Sequence, residues 1–93
     1  MTDTTKEAPE GWHDLRSHLC AWLGDRLIYM AERGHSYPHE TGHDDWRKLL
    51  LRHGKGLLEH AELDGTGDAT AASFRGAKDA LHWAADNLED LWD

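Results

Sequence analysis

Three stretches of the chain carry apolar residues at intervals of three and four positions. In the first stretch these positions are Trp12, Leu15, Leu19, Trp22, Leu23, Leu27 and Met30. This spacing is typical of an amphipathic helix with one apolar face. No segment alternates apolar and polar residues with a period of two, so no β-strand is predicted. The sequence therefore predicts an all-α fold with helices over about 12–33, 42–62 and 69–91.

The segments between these helices contain residues that end or start a helix. Gly34 suits the end of the first helix, and Pro38 prevents one continuous helix through the following loop. Thr41, with Asp44 three residues later, resembles a capping box at the start of the second helix. The third helix has two candidate N-caps, Asp68 and Thr70. Helices joined by loops this short predict an antiparallel three-helix bundle.

The chain divides into a short arm and one domain. Residues 1–10 are polar and contain Pro9, and we expect a flexible N-terminal arm there. Residues 11–93 are long enough for a single helical domain. A domain of this size is close to the length at which dimerisation completes a core, which favours a homodimer.

Four glycines interrupt the helical patterns, namely Gly24, Gly54, Gly56 and Gly76. Each costs a helix about 1 kcal/mol relative to alanine. Either neighbouring helices approach closely at these positions, or the second helix breaks between Gly54 and Gly56. We expect close packing.

The charge of the chain narrows the range of partners. Ten Lys and Arg against 18 Asp and Glu give a formal net charge of −8. Such a surface repels nucleic acid and anionic membranes, so non-specific nucleic-acid binding is not expected. It would suit a basic protein partner, or mimicry of nucleic acid. The eight histidines would offset this charge if all were protonated, so the net charge should vanish near pH 5–6.

Two further features bear on the cellular compartment. No apolar run approaches the roughly 20 residues of a membrane span, and the first residues lack a signal-peptide pattern. Cys20 is the single cysteine, so neither an internal disulfide nor a cysteine zinc site is expected. We expect a cytoplasmic protein in which Cys20 is a buried structural thiol.

The segment His39-Glu40-Thr41-Gly42-His43 matches the His-Glu-x-x-His spelling of zinc hydrolases. On a helix this spacing places two imidazoles on one face, with the glutamate as general base. Here Pro38 precedes the motif and Thr41 resembles a cap, so the two histidines straddle a helix start. No third ligand stands at a familiar spacing. We therefore expect no enzyme, although His35, His39 and His43 form an alternative metal cluster in the loop.

Basic residues concentrate on the second helix, at Arg47, Lys48, Arg52 and Lys55. Positions 48, 52 and 55 share one helical face. They form an alternative binding site for an anion or a nucleotide. The other interpretation is a solvated face whose cations pair with nearby carboxylates.

The last residues combine acidic and aromatic side chains. The candidate partner-binding residues are Asp86, Glu89, Asp90, Trp92 and Asp93. Acidic residues at a helix C-terminus oppose the helix dipole, and such violations mark functional sites. Alternatively, Leu88, Leu91 and Trp92 close the base of the bundle. The other tryptophans are expected to be core or interface anchors: Trp12, Trp22, Trp46 and Trp83.

Three short motifs resemble a family of small uncharacterised proteins encoded by bacteriophages and prophages. They are Gly34-His35-Ser36-Tyr37-Pro38, Thr41-x-x-Asp44-Asp45-Trp46 and Leu91-Trp92-Asp93. The surplus histidines and the alanine-rich residues 69–85 depart from that family's pattern. The resemblance implies expression inside a bacterial host, no established enzymatic activity and no metal site at the His39 and His43 positions.

These observations favour a small acidic interaction protein without a cofactor. It would bind an unidentified host macromolecule, as an inhibitor, adaptor or counter-defence protein does. The acidic surface and the last helix would form the contact.

Overall fold

A computed structural model describes residues 8–93 and confirms the all-α fold. A short 3-10 turn, Trp12–Asp14, precedes the first helix. The three long helices are α1 (Leu15–Arg33), α2 (His43–Gly65) and α3 (Ala71–Asp86), and a second 3-10 turn follows at Leu88–Asp90. No β-strand occurs in this part of the chain. Residues 1–7 of the predicted arm lie outside the described range, and residues 8–10 are exposed.

Helix α2 is the centre of the bundle. Both α1 and α3 pack against it, and they touch each other marginally at most. Arg16 near the start of α1 reaches Asp64 at the end of α2, so these two helices run antiparallel. Trp46 near the start of α2 contacts Trp83 near the end of α3, so α2 and α3 also run antiparallel. The described chain is therefore flat, with extents of 48 × 38 × 21 Å.

The core lies along both sides of α2. Leu50 and Leu57 are almost completely buried, and Trp46 is 2% exposed. The other core side chains come from all three helices: Cys20, Leu27, Ala31, Ala61, Ala77 and Ala80. Burial of these apolar side chains is the main favourable term for the fold.

The closest approach of α1 and α2 occurs at Gly24 and Gly54. A Cβ atom at Gly54 would lie 2.9 Å from the Gly24 carbonyl oxygen and 2.8 Å from a side-chain carbon of Ile28. A Cβ atom at Gly24 would lie 2.8 Å from the Gly54 carbonyl oxygen. The expected close packing is confirmed here, and α2 is continuous. It is wrong for Gly56 and Gly76, where a Cβ atom would meet nothing within 4 Å.

The predicted N-cap residue is present at the start of α3 and absent at the start of α2. Thr70 caps α3 in a reciprocal capping box with Ser73, as one of the two predicted N-caps. Thr41 does not cap α2. Gly42 occupies the N-cap position, so no side chain forms a capping hydrogen bond there. The amides of Thr41 and Gly42 instead bond to the Pro38 carbonyl, closing a turn just before the helix.

Helix α3 ends earlier than predicted. Its last residue is Asp86, and the Asn87 side chain donates a hydrogen bond to the Trp83 carbonyl at that end. The chain then forms the 3-10 turn and leaves the helix axis over residues 91–93. The predicted continuation to residue 91 is therefore wrong.

The apolar pattern of α1 is divided between two faces. Leu27 faces α2 together with Cys20 and Ala31, whereas Trp12 and Trp22 are 60% and 48% exposed. The prediction of tryptophan anchors within this bundle therefore holds for Trp46 and the partly buried Trp83. It does not hold for Trp12 or Trp22 within the single chain.

Candidate functional site

The strongest candidate surface is the acidic segment, defined as residues 86–93. Leu91 packs against the core and fixes this segment to the bundle. Leu88 and Trp92 point outward, with exposed fractions of 69% and 64%. Of the three residues predicted to close the base of the bundle, only Leu91 does so. The segment thus presents two large apolar side chains on an anchored backbone.

Asp93 ties the acidic segment to the loop between α1 and α2. Its carboxylate accepts hydrogen bonds from the backbone amides of His35 and Ser36, the latter at 2.8 Å. These two N–H groups lower the pKa of Asp93, because they stabilise the charged carboxylate. Asp93 is therefore held by its own chain, unlike the other predicted partner-binding residues.

The other carboxylates of the acidic segment form no salt bridge within residues 8–93. Asp86 and Glu89 are exposed and Asp90 is half-buried. Across residues 8–93 the salt bridges are Arg16–Asp64, His35–Asp93 and His43–Asp44, so none involves these three groups. The segment therefore carries two exposed apolar side chains, Leu88 and Trp92, in a stretch of sequence with three unpaired carboxylates.

Replacing Asp93 with alanine is expected to loosen the 34–36 loop. Without the carboxylate, the amides of His35 and Ser36 lose their acceptor and should exchange with solvent roughly tenfold faster or more. Hydrogen exchange followed by NMR measures this directly. Asp86→Ala is the matched control, because it removes a carboxylate from the same segment without touching the loop. Equal exchange in both variants would contradict the tie between Asp93 and the loop.

The basic residues of α2 are only partly brought together. Lys48, Arg52 and Lys55 are exposed on one face, and none forms an ion pair with any carboxylate of residues 8–93. The predicted pairing with nearby carboxylates is absent from that range. Arg47 turns away, because its Nε donates to the Ala31 carbonyl at the end of α1. At the C-terminal end of α1, the Arg47 guanidinium gives an otherwise free carbonyl a hydrogen-bond donor and interacts favourably with the helix dipole.

His53 lies beside this basic face and packs on α3. Its ring stacks on Trp83, with centroids 4.6 Å apart. Burial and then the nearby Arg52 charge lower the pKa of His53, while Asp79 acts in the opposite direction. The folded protein therefore resists protonation of this imidazole.

The free energy of unfolding should fall as the pH drops below about 6.5, the ordinary pKa of histidine. Below that pH the unfolded chain binds a proton at His53 that the folded chain resists, so acid favours unfolding. Asp64 and Asp93, whose pKa values are lowered, reinforce the loss at still lower pH. Urea unfolding at pH 7.5 and 5.5 tests this. His53→Phe should shrink the difference, whereas His82→Phe at an exposed site should not.

The structure does not bring His35, His39 and His43 together as a metal cluster. His35 lies near Asp93, and His43 packs edge-on against Tyr37. Helix α2 begins at His43, so the two histidines of the His-Glu-x-x-His spelling straddle the helix start as predicted. Within residues 8–93, no three His, Cys, Asp or Glu side chains are grouped to hold a metal ion.

Sequence reasoning missed a buried polar cluster between the helices. His60 is 1% exposed, and its Nδ1 lies 2.9 Å from the Ser73 hydroxyl. A serine and histidine at this distance is an arrangement that nucleophilic catalysis uses. Here the Ser73 hydroxyl also bonds to the Thr70 backbone in the capping box. The pair therefore joins α2 to the start of α3.

The other missed interaction is the contact of Arg16 with Asp64. Two hydrogen bonds of 2.9 and 2.8 Å join the guanidinium to the carboxylate, and Arg16 also lies over the Phe74 ring. The guanidinium lowers the pKa of Asp64. Cys20 is buried nearby, and burial raises the pKa of its thiol, as expected for a structural cysteine.

Comparison of the chain with protein-family models, with curated proteins and with solved structures finds no match. Among the helices of residues 8–93, none is both long and apolar enough to cross a membrane.

Proposed function

We propose that the protein is a non-enzymatic binding protein whose acidic segment docks on a basic protein of a bacterial host. The observation that carries this proposal is the exposure of Leu88 and Trp92 among carboxylates that have no cationic partner in residues 8–93. Binding hot spots are typically large side chains, tryptophan above all, in the middle of a surface patch.

The fixed backbone of the segment also favours binding. Helix α3 holds the start of the 3-10 turn, and the contacts of Leu91 with the core and of Asp93 with the loop hold the residues that follow it. Because the segment is already ordered in the free protein, binding a partner would cost little conformational entropy. The unpaired charges of Asp86 and Glu89 would attract a basic surface and speed association at low salt.

The resemblance to phage-encoded proteins supports a bacterial host protein as the target. An acidic phage protein of this kind would act as an inhibitor, an adaptor or a counter-defence factor. The chemistry that would recognise the segment is a basic surface with an apolar groove, deep enough to take the Trp92 indole.

Quantitative affinity capture from a bacterial lysate tests the proposal. The wild-type protein is compared with Trp92→Ala and with the triple variant Asp86→Asn, Glu89→Gln, Asp90→Asn. A partner that uses the acidic segment is enriched by the wild type and lost with both variants. The matched control neutralises three exposed carboxylates elsewhere and should retain the partner: Asp25→Asn, Glu32→Gln and Glu59→Gln.

Equal capture by all variants would overturn the role of the acidic segment. Loss with the control as well would assign the attraction to net charge alone. Purified partner then allows calorimetry at two salt concentrations, where affinity should decrease as salt rises.

A second candidate function is anion binding on α2. It is favoured by the exposed cations Lys48, Arg52 and Lys55, which have no acidic partner within residues 8–93. Calorimetry with inorganic phosphate and a nucleoside triphosphate tests it. Heat that disappears in Arg52→Ala and persists in Arg75→Ala supports this function, and the absence of heat with either ligand removes it.

A further inference from the structure

The side of α1 that faces away from α2 carries an uncovered row of apolar residues. We define the outer face of α1 by five exposed side chains: Trp12, Leu15, Leu19, Trp22 and Tyr29. From Leu15 onward they follow a spacing of three, four or seven, so they share one side of the helix. Arg26 and Arg33 lie on the same side and stack over Trp22 and Tyr29.

The outer face of α1 is large enough to form a protein–protein interface. Its side chains expose on the order of 500 Å² of apolar surface, which is near the upper end for a monomeric protein. A standard interface buries about 800 Å² per partner, of which about 60% is apolar. The outer face alone supplies that apolar share.

We propose that the outer face of α1 is a homodimer interface in which the α1 helices of two copies pair antiparallel around Trp22. The apolar area favours a second copy as the occupant, since two such faces together supply the apolar share of a standard interface. A two-fold axis at Trp22 places Leu15 of one copy opposite Tyr29 of the other.

A pocket at the basic end supports this pairing. It has a volume of about 210 Å³ and is lined by Arg26, Tyr29, Met30, Arg33, Gly34 and Asp93. A cavity of this order holds one aromatic ring. Antiparallel pairing around Trp22 places Trp12 of one copy over this pocket of the other, so each copy would fill its partner's pocket.

Sedimentation equilibrium of the whole chain tests the interface. The wild type should be a dimer at micromolar concentration, and Trp22→Lys should weaken the dimer by about 100-fold, because it removes the indole and puts a like charge beside Arg26 in the interface. Leu15→Lys is a second variant with the same expected result, since antiparallel pairing places it near Arg26 and Arg33 of the other copy. Both side chains face solvent in the single chain, so circular dichroism should show unchanged helix content.

Leu88→Lys is the matched control for Leu15→Lys, since it makes the same change at an exposed leucine outside α1 and outside the pocket lining, and it should leave the dimer intact. A wild type that stays monomeric up to roughly 200 μM overturns the proposal. So does a dimer that survives both α1 variants, or one that is lost equally in the Leu88 control.

Disulfide trapping tests the orientation. Antiparallel pairing predicts that Trp22→Cys cross-links to itself, and that Leu15→Cys cross-links to Tyr29→Cys in a mixture. Leu15→Cys cross-linking to itself would indicate parallel helices and overturn the antiparallel arrangement. The native Cys20 should not interfere, because it is only 3% exposed.

Discussion

Replacing Gly54 with alanine is expected to lower the free energy of unfolding by about 1–3 kcal/mol, even though alanine is the better helix former. The added methyl group would lie 2.9 Å from the Gly24 carbonyl oxygen and 2.8 Å from Ile28. Backbone cannot move aside as a flexible side chain can, so α1 and α2 must separate. Gly24→Ala meets the Gly54 carbonyl in the same way and should have a similar cost.

The chain contains its own controls for this experiment. Gly56 and Gly76 also lie within helices, yet a methyl group at either position meets nothing within 4 Å. Gly56→Ala and Gly76→Ala should therefore stabilise the protein by about 0.5–1 kcal/mol. Urea unfolding of the four variants measures the contrast. Stabilisation by Gly54→Ala of the same size as by Gly56→Ala would contradict a tight helix crossing.

These four glycines show which part of the fold the sequence predicts and which part it does not. Helical periodicity predicts the three helices, because it depends on residues three and four apart. It also shows that each glycine interrupts a helix. What lies opposite a glycine depends on another helix about 30 residues away, and the sequence alone does not supply that alignment. Close packing is therefore right at Gly24 and Gly54 and wrong at Gly56.

The apolar pattern of α1 shows a related limit. Its apolar residues cover more of the helix circumference than one neighbouring helix can bury. Periodicity identifies the whole set but does not say which part faces α2. The fully buried positions of α1 are Cys20, Gly24, Leu27 and Ala31, of which only Leu27 belongs to the predicted apolar set. Leu23 and Met30 of that set are partly buried against the core, and its other four residues belong to the outer face.

The candidate site was predictable only in part. The sequence places Trp92 among acidic residues but leaves open whether it closes the bundle or faces solvent, and the structure shows it exposed. The bond from Asp93 to the His35 amide spans 58 residues, so no local pattern predicts it. His60 had a usable signal, since Trp46, His53 and His60 recur every seven residues along the side of α2 that contacts α3. A heptad of this kind marks a helix–helix seam even where histidine occupies it.

His60→Ala is expected to lower the free energy of unfolding by about 2–4 kcal/mol, whereas His60→Leu should change it by less than about 1 kcal/mol. Alanine leaves a cavity beside Phe74, whose ring lies 4.4 Å from the imidazole. Leucine keeps much of the volume and removes Nε2, a buried nitrogen without a hydrogen-bond partner in the described chain. That removal offsets the lost contact with Ser73, whose hydroxyl retains its bonds to Thr70. Urea unfolding of both variants separates the two effects. If leucine costs as much as alanine, the hydrogen bond to Ser73 and not packing is the main contribution of His60 to stability.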